Sequence, residues 1–331
     1  MLYDSQAARR MNRALYAIRK SIPFRKQLQA LKRVLLPYTS DPANDRRLLD
    51  EATHMVAAMR DIGATIHGAV IVEIGTGWLP ILPLILRAGG AGEVITLDHD
   101  RLMDRRTFVH AITYIRENLD RILRISGLPR SYFNLSTLPS RSEPSLADLC
   151  RAGAIVYRAP FDFTKLAPQS ADMVVSRATL EHIPEQRLRE IFLHAAKVVK
   201  PGGIMCHIVD VSDHFAHTDK SLSRVDMLRY SDEEWLARTR HRLNHLSRLR
   251  WFDYAGLMRD TGWDVLRAWT SSDEAWDAYE ESYLDGVERY ALERPDDPDV
   301  PAMLKRIRAW HHAYQFFGRF NLGFGLYLLK R

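Results

Sequence analysis

The chain has 331 residues, 46% of them apolar and 27% charged, a balance that excludes a disordered or fibrous protein and allows a sizeable core. Its net charge of +6 is uneven: residues 1–40 hold nine Lys or Arg against one acid, Asp4, which leaves the rest of the chain net acidic. The longest strongly apolar stretch, Trp78–Leu86, is broken by Pro80 and Pro83 and is far shorter than the ~20 residues a bilayer span needs.

In chain order, the spacing of Leu15, Ile18 and Ile22, and of Leu28, Leu31 and Leu35, predicts two short amphipathic helices around Pro23. Residues 1–68 are expected to form a basic helical arm or lid. Its other use would be peripheral contact with a membrane surface or an anionic partner. From Ala69 the pattern changes to short apolar runs separated by helical segments. Strands are expected at Val70–Ile74, Glu93–Leu97, Ala154–Tyr157, Met173–Val175, Ile204–Val209, Val265–Trp269 and Phe324–Leu329. That alternation predicts a doubly wound α/β domain over 69–331, with a mostly parallel sheet of seven strands. No helix follows the last run, which suits an antiparallel final strand.

Three connections exceed what such a fold requires and are expected to be helical insertions: 101–150, 212–262 and 271–318. In the first, a helix around Arg101–Ile125 precedes a Ser/Pro-rich loop. In the second, Ser231 and Glu234 have capping-box spacing ahead of Trp235.

The segment Val70-Ile-Val-Glu-Ile-Gly-Thr-Gly-Trp-Leu-Pro80 runs from a buried strand through a glycine turn into a helix. A ligand there would lie at the carboxyl ends of the strands. Pro80 stands where a dinucleotide fingerprint needs its third glycine, and no Gly-Lys-Ser/Thr follows, so a dinucleotide turn and a P-loop are both excluded. An acid, Glu73, stands two residues before Gly75.

In these residues the segment resembles motif I of class I S-adenosylmethionine-dependent methyltransferases, E/D-x-G-x-G-x-G, with Leu79 replacing the last glycine. Further blocks resemble the same family, and its broad type 11 group in particular: Asp98 ending the second strand, Phe161-Asp162-Phe163 after the third, Asp172-Met-Val-Val-Ser176 with Leu180-Glu-His-Ile183, and Lys200-Pro-Gly-Gly203. The resemblance implies a Rossmann-like methyltransferase fold. It also implies S-adenosyl-L-methionine as cofactor, S-adenosyl-L-homocysteine as product, and cofactor contacts from Glu73, Gly75, Thr76, Gly77, Trp78, Asp98, His99, Asp162, Phe163 and Ser176.

A hydroxyl acceptor must lose a proton, and imidazole is the usual base near neutral pH. His182 follows the fourth strand. Asp210, Asp213, His214 and His217 follow the fifth. His214 is the favoured base, with Asp210 or Asp213 orienting it. The expected reaction is O-methylation of a small-molecule, sugar or lipid-linked acceptor. The alternatives are an RNA methyltransferase using the basic arm and a cofactor-binding protein without activity. The net acidic body argues against nucleic acid. The His/Asp loop matches no metal-ligand spacing, so no metal is expected. Cys150 and Cys206 make no disulfide framework and no secretory signal is evident, so a cytoplasmic location is expected. The oligomeric state is not legible.

Overall fold

Four of the five residues of Val70–Ile74 are buried, as a strand covered on both faces requires, and this strand, β1, stands near the middle of the sheet. The structure is a computed structural model that describes residues 41–217, 219, 222, 226–240, 245–270 and 324–330. The other strands are β2 (Glu93–Leu97), β3 (Ile155–Arg158), β4 (Ala171–Arg177), β5 (Val199–Asp210), β6 (Asp264–Thr270) and β7 (Phe324–Lys330). They lie in the order β3-β2-β1-β4-β5-β7-β6. Pairing is parallel from β3 through β5, and β7 runs antiparallel to both β5 and β6. The order reverses between β1 and β4, which opens a crevice at their carboxyl ends.

The helices are α1 (Pro42–Asp61), α2 (Ile81–Ala88), α3 (Arg105–Glu117), α4 (Leu119–Ser126), α5 (Leu146–Ala152), α6 (Glu185–Val198), α7 (Asp232–Thr239) and α8 (Trp251–Asp260). Val72, Val174 and Met205 of the sheet share one core with Leu188 and Phe192 of α6, Tyr254 and Met258 of α8, and Trp263. Each large side chain buried in this way contributes roughly 1.5–3 kcal/mol of transfer free energy.

Four differences from the sequence expectations have physical causes. The chain divides after Asp41, not at 68. Leu48, Leu49, Ala52, Met55, Val56 and Met59 give α1 a largely apolar buried face, with Asp45 and Thr53 the polar residues on it, and it packs against α2, α4 and β5. The helix expected around 101–125 starts later, at Arg105, where Asp104 and Thr107 form a capping box, and it breaks at Asn118 into α3 and α4. The fifth strand, expected from Ile204, begins at Val199 and so takes in Lys200–Gly203. That segment lies inside the twelve-residue strand as a bulge, with Gly202 left-handed at φ +79° and the register shifting between Ala171 and Met173. Lys200 Nζ pairs with Asp172 Oδ1 at 2.8 Å, and the other oxygen of Asp172 accepts from the Val70 N–H, tying the bulge to the start of β1. Finally, β3 begins at Ile155 because Ala154 is left-handed at φ +51°. The Ser231–Glu234 capping box forms as expected and starts α7. The predicted arm helices within 1–40 and the insertion at 271–318 lie outside the described residues.

Candidate active site

The turn after β1 uses its two glycines differently. Both are left-handed, Gly75 at φ +80° and Gly77 at φ +70°, a conformation that costs other residues roughly 1–2 kcal/mol. A Cβ on Gly75 would meet the Thr179 side chain at 2.3 Å, so this glycine admits the chain that follows β4. Around Gly77 nothing lies within 4 Å of the same position, and its N–H donates to Asp98 Oδ2 at 2.8 Å. Trp78 is exposed, and Leu79, in place of a third glycine, is buried. Pro80 sits just before α2, where its missing N–H costs nothing.

Three carboxylates surround this turn. Glu73 is buried, and its Oε2 accepts from Thr76 Oγ1 at 2.8 Å and Thr96 Oγ1 at 2.6 Å, which joins β1, the turn and β2. Burial pushes its carboxyl up to about 7 despite those bonds. Asp98, half-buried at the end of β2, accepts from the N–H groups of Gly77 and His99, and burial raises it to about 6. The Asp98 carbonyl accepts from the Phe161 N–H at 2.9 Å, which draws the segment after β3 against the end of β2. In that segment Asp162 Oδ1 accepts from Thr164 N, Thr164 Oγ1 and Arg187 Nη2, the last at 2.5 Å. The Thr164 N–H is the largest influence holding this carboxyl below its ordinary range.

Two expected cofactor residues face the interior instead. Phe163 packs into the core edge-on to His194. Ser176 is fully buried, its hydroxyl 2.8 Å from Nδ1 of His207 on the adjacent strand, because successive strand residues alternate faces. His99 is exposed beside Asp100.

On the other side of the crevice, the ends of β4 and β5 gather three imidazoles. The rings of His182 and His214 lie 4.9 Å apart, as do those of His214 and His217. His182 Nδ1–H donates to the His245 carbonyl at 3.0 Å, and His214 Nδ1–H to the Ser212 carbonyl at 3.1 Å. Burial lowers the pKa of His182. The expected pairing of His214 with Asp210 or Asp213 is replaced. Asp210 Oδ1 accepts from the backbone and hydroxyl of Ser212, and its Oδ2 lies 3.4 Å from His217 Nε2. Asp213 is spent on its own turn, accepting from the Phe215 N–H, and burial raises it to about 6. Phe215 then anchors the loop edge-on to Trp235, with Arg238 over the Phe215 ring.

The sequence reasoning did not single out Thr96, Thr179, Glu181, Arg187 or the ion pair between Glu51 and Arg177, 2.9 Å long, which ties α1 to the end of β4. Glu181 lay within the Leu-Glu-His-Ile block and was the one of these with a signal to follow.

Residues 142–207 match the family described as "Methyltransferase domain", a segment that contains β3, β4 and the turn bearing Glu181 and His182. No curated protein matches the chain. Among solved structures, an S-adenosylmethionine-dependent methyltransferase from Mesorhizobium loti is similar at 13% identity, covering 86% of this chain and 100% of its own (TM-score 0.42). Magnesium protoporphyrin IX methyltransferase from Synechocystis, with bound S-adenosylhomocysteine, is similar at 13% identity over 75% and 89% of the two chains (TM-score 0.41). A cyclopropane synthase from Mycobacterium tuberculosis is similar at 12% identity over 86% and 82% (TM-score 0.40). Residues 142–207 thus match a methyltransferase family, and outside that segment Glu73 and Asp98 brace a two-glycine turn at the switch point of a doubly wound sheet.

Proposed function

We propose that the chain methylates a hydroxyl group of a small acceptor, a sugar or lipid-linked molecule included, with the proton taken inside the cluster of His182, His214 and His217. The supporting observation is that cluster itself: three neighbouring imidazoles, one pair edge-on and one tilted, at the carboxyl ends of β4 and β5, beside the crevice. Two of them are oriented by backbone carbonyls, and in His182 this leaves the other ring nitrogen to accept a proton.

The residues on the β1 side fit the cofactor. Gly77 leaves open space where a side chain would stand, and Asp98 presents a carboxylate braced by two N–H groups, suited to a pair of ribose hydroxyls. The Phe161 N–H bond to the Asp98 carbonyl, next to Asp162, supports a role for Asp162 at the adenine end. Glu73 braces the turn from within. When bound, S-adenosylmethionine supplies an electrophilic methyl on a sulfonium, the S–C electron pair staying on sulfur as the methyl passes to the acceptor oxygen. The histidine cluster holds the displaced proton, and the crevice aligns the acceptor with the methyl group.

The test is transfer of labelled methyl groups to fractionated extract, followed by His214→Ala and His217→Ala on the acceptor found. Loss of roughly a hundredfold or more in kcat with unchanged cofactor affinity is expected. An acceptor nitrogen or carbon, or undiminished transfer in both variants, would refute the hydroxyl reading.

A further inference from the structure

At the end of β4, Glu181 is 2% exposed, and neither of its carboxylate oxygens has a hydrogen-bond partner. Burial pushes its carboxyl well above the ordinary range, the backbone N–H groups of Glu181 and Asp210 offset this only in part, and the nearby Arg177 is engaged with Glu51. Leaving a buried carboxylate unpaired is expensive, so such groups are protonated, paired or bound to a cation. Next to it are two imidazoles. The ligand-capable atoms of Glu181, His182 and His214 all lie within 4.8 Å of one another.

The tautomers suit a cation. Each ring donates its Nδ1–H to a backbone carbonyl, His182 to that of His245 and His214 to that of Ser212, so both rings are held in place from behind. Support of this kind behind the ring is the usual partner of a metal-bound histidine. Two imidazoles and one carboxylate match the donor set of zinc hydrolase sites and of the non-haem iron facial triad. Metal–nitrogen bonds near 2.0–2.1 Å would draw the three groups closer together.

We propose that Glu181, His182 and His214 form a site for a divalent transition-metal ion, with coordination positions left open for water or an acceptor oxygen. This overturns the expectation of no metal, which rested on ligand spacing in sequence. Here the carboxylate and one imidazole are adjacent, while the second imidazole arrives from another strand. The site stands whether or not the acceptor is a hydroxyl. With the metal bound, His182 and His214 are ligands, and His217, 3.0 Å from Ser212 Oγ and 3.4 Å from Asp210 Oδ2, is the imidazole left for the proton.

The full chain, stripped with chelator, is dialysed against zinc, cobalt, manganese or magnesium chloride, and bound metal is measured by elemental analysis, with visible absorption for cobalt. About one equivalent of zinc or cobalt per chain is expected. Glu181→Gln and His214→Asn should each weaken binding by more than the roughly 10- to 100-fold that losing a mere supporting partner costs. Circular dichroism checks that each variant folds, and placing the substitutions on two different elements keeps one informative if the other fails. No binding of zinc, cobalt or manganese, binding of magnesium alone, or equal zinc binding by the parent and a folded variant overturns the site. Those readouts need no acceptor, so their failure is separate from failure of the hydroxyl reading.

Discussion

Glu73 shows how a residue can be legible while its role is not. The acid two places before Gly75 is visible in the sequence, but its burial and its bonds to Thr76 and Thr96 belong to the fold. The consequence is a pH effect of definite sign. With its pKa raised from 4.5 to about 7, the folded state binds the extra proton. The stabilisation is therefore complete below about 4.5 and is lost as pH rises through about 7. In Glu73→Gln the amide oxygen accepts the same hydroxyls without a charge. Unfolding measured by urea should show the variant gaining on the parent across that window, to a difference on the order of 3 kcal/mol. Parallel curves would mean that Glu73 is not perturbed. The two glycines separate at the same scale. Gly75→Ala combines the left-handed penalty with a clash against Thr179 and should cost roughly 2–5 kcal/mol, whereas Gly77→Ala carries only the penalty of roughly 1–2 kcal/mol. Thr179 lies 104 residues away, which is why both glycines read alike in sequence.

Among elements, strands were the most legible and boundaries the least. Val70–Ile74 and Glu93–Leu97 are strands over the residues expected, since apolar runs buried on both faces carry an unambiguous signal. The bulge that lengthens β5 depends on Asp172 and Val70 holding Lys200 in place, contacts that no local pattern encodes. Helix α1 falls inside the expected arm of residues 1–68, but the basic excess ends before it, within residues 1–40. Its attachment lies in the buried face, in the Asp45–His110 pair of 2.8 Å, and in the Asp50–Arg121 pair. Leu49, fully buried, therefore tests where the domain begins. Leu49→Ala should lower stability by about 2–5 kcal/mol in a single unfolding transition, as a core truncation does. A loss under about 0.5 kcal/mol, the range of ordinary surface changes, would place α1 outside the cooperative unit.

For the molecule as a whole, the switch point between β1 and β4 decides what the site can do, because it sets the braced carboxylates on one side and the imidazoles on the other. The sequence order of the motifs indicated the first side; the second needed the fold, since His182 and His214 meet across two strands. The division predicts that cofactor affinity follows the charge of Asp98. Ribose hydroxyls donate to a carboxylate, so binding favours the ionised form, and burial has raised that group to about 6. Affinity should be level above about pH 7 and fall toward tenfold per pH unit below about pH 6, as the protonated acid must first give up its proton. Asp98→Asn cannot accept both hydroxyls, so its affinity should drop about 10- to 100-fold at neutral pH and lose this dependence. Calorimetry of parent and variant between about pH 5 and about pH 8 reads both effects. A variant that keeps the slope would place the titrating group elsewhere, and one that keeps the affinity would remove Asp98 from the cofactor site.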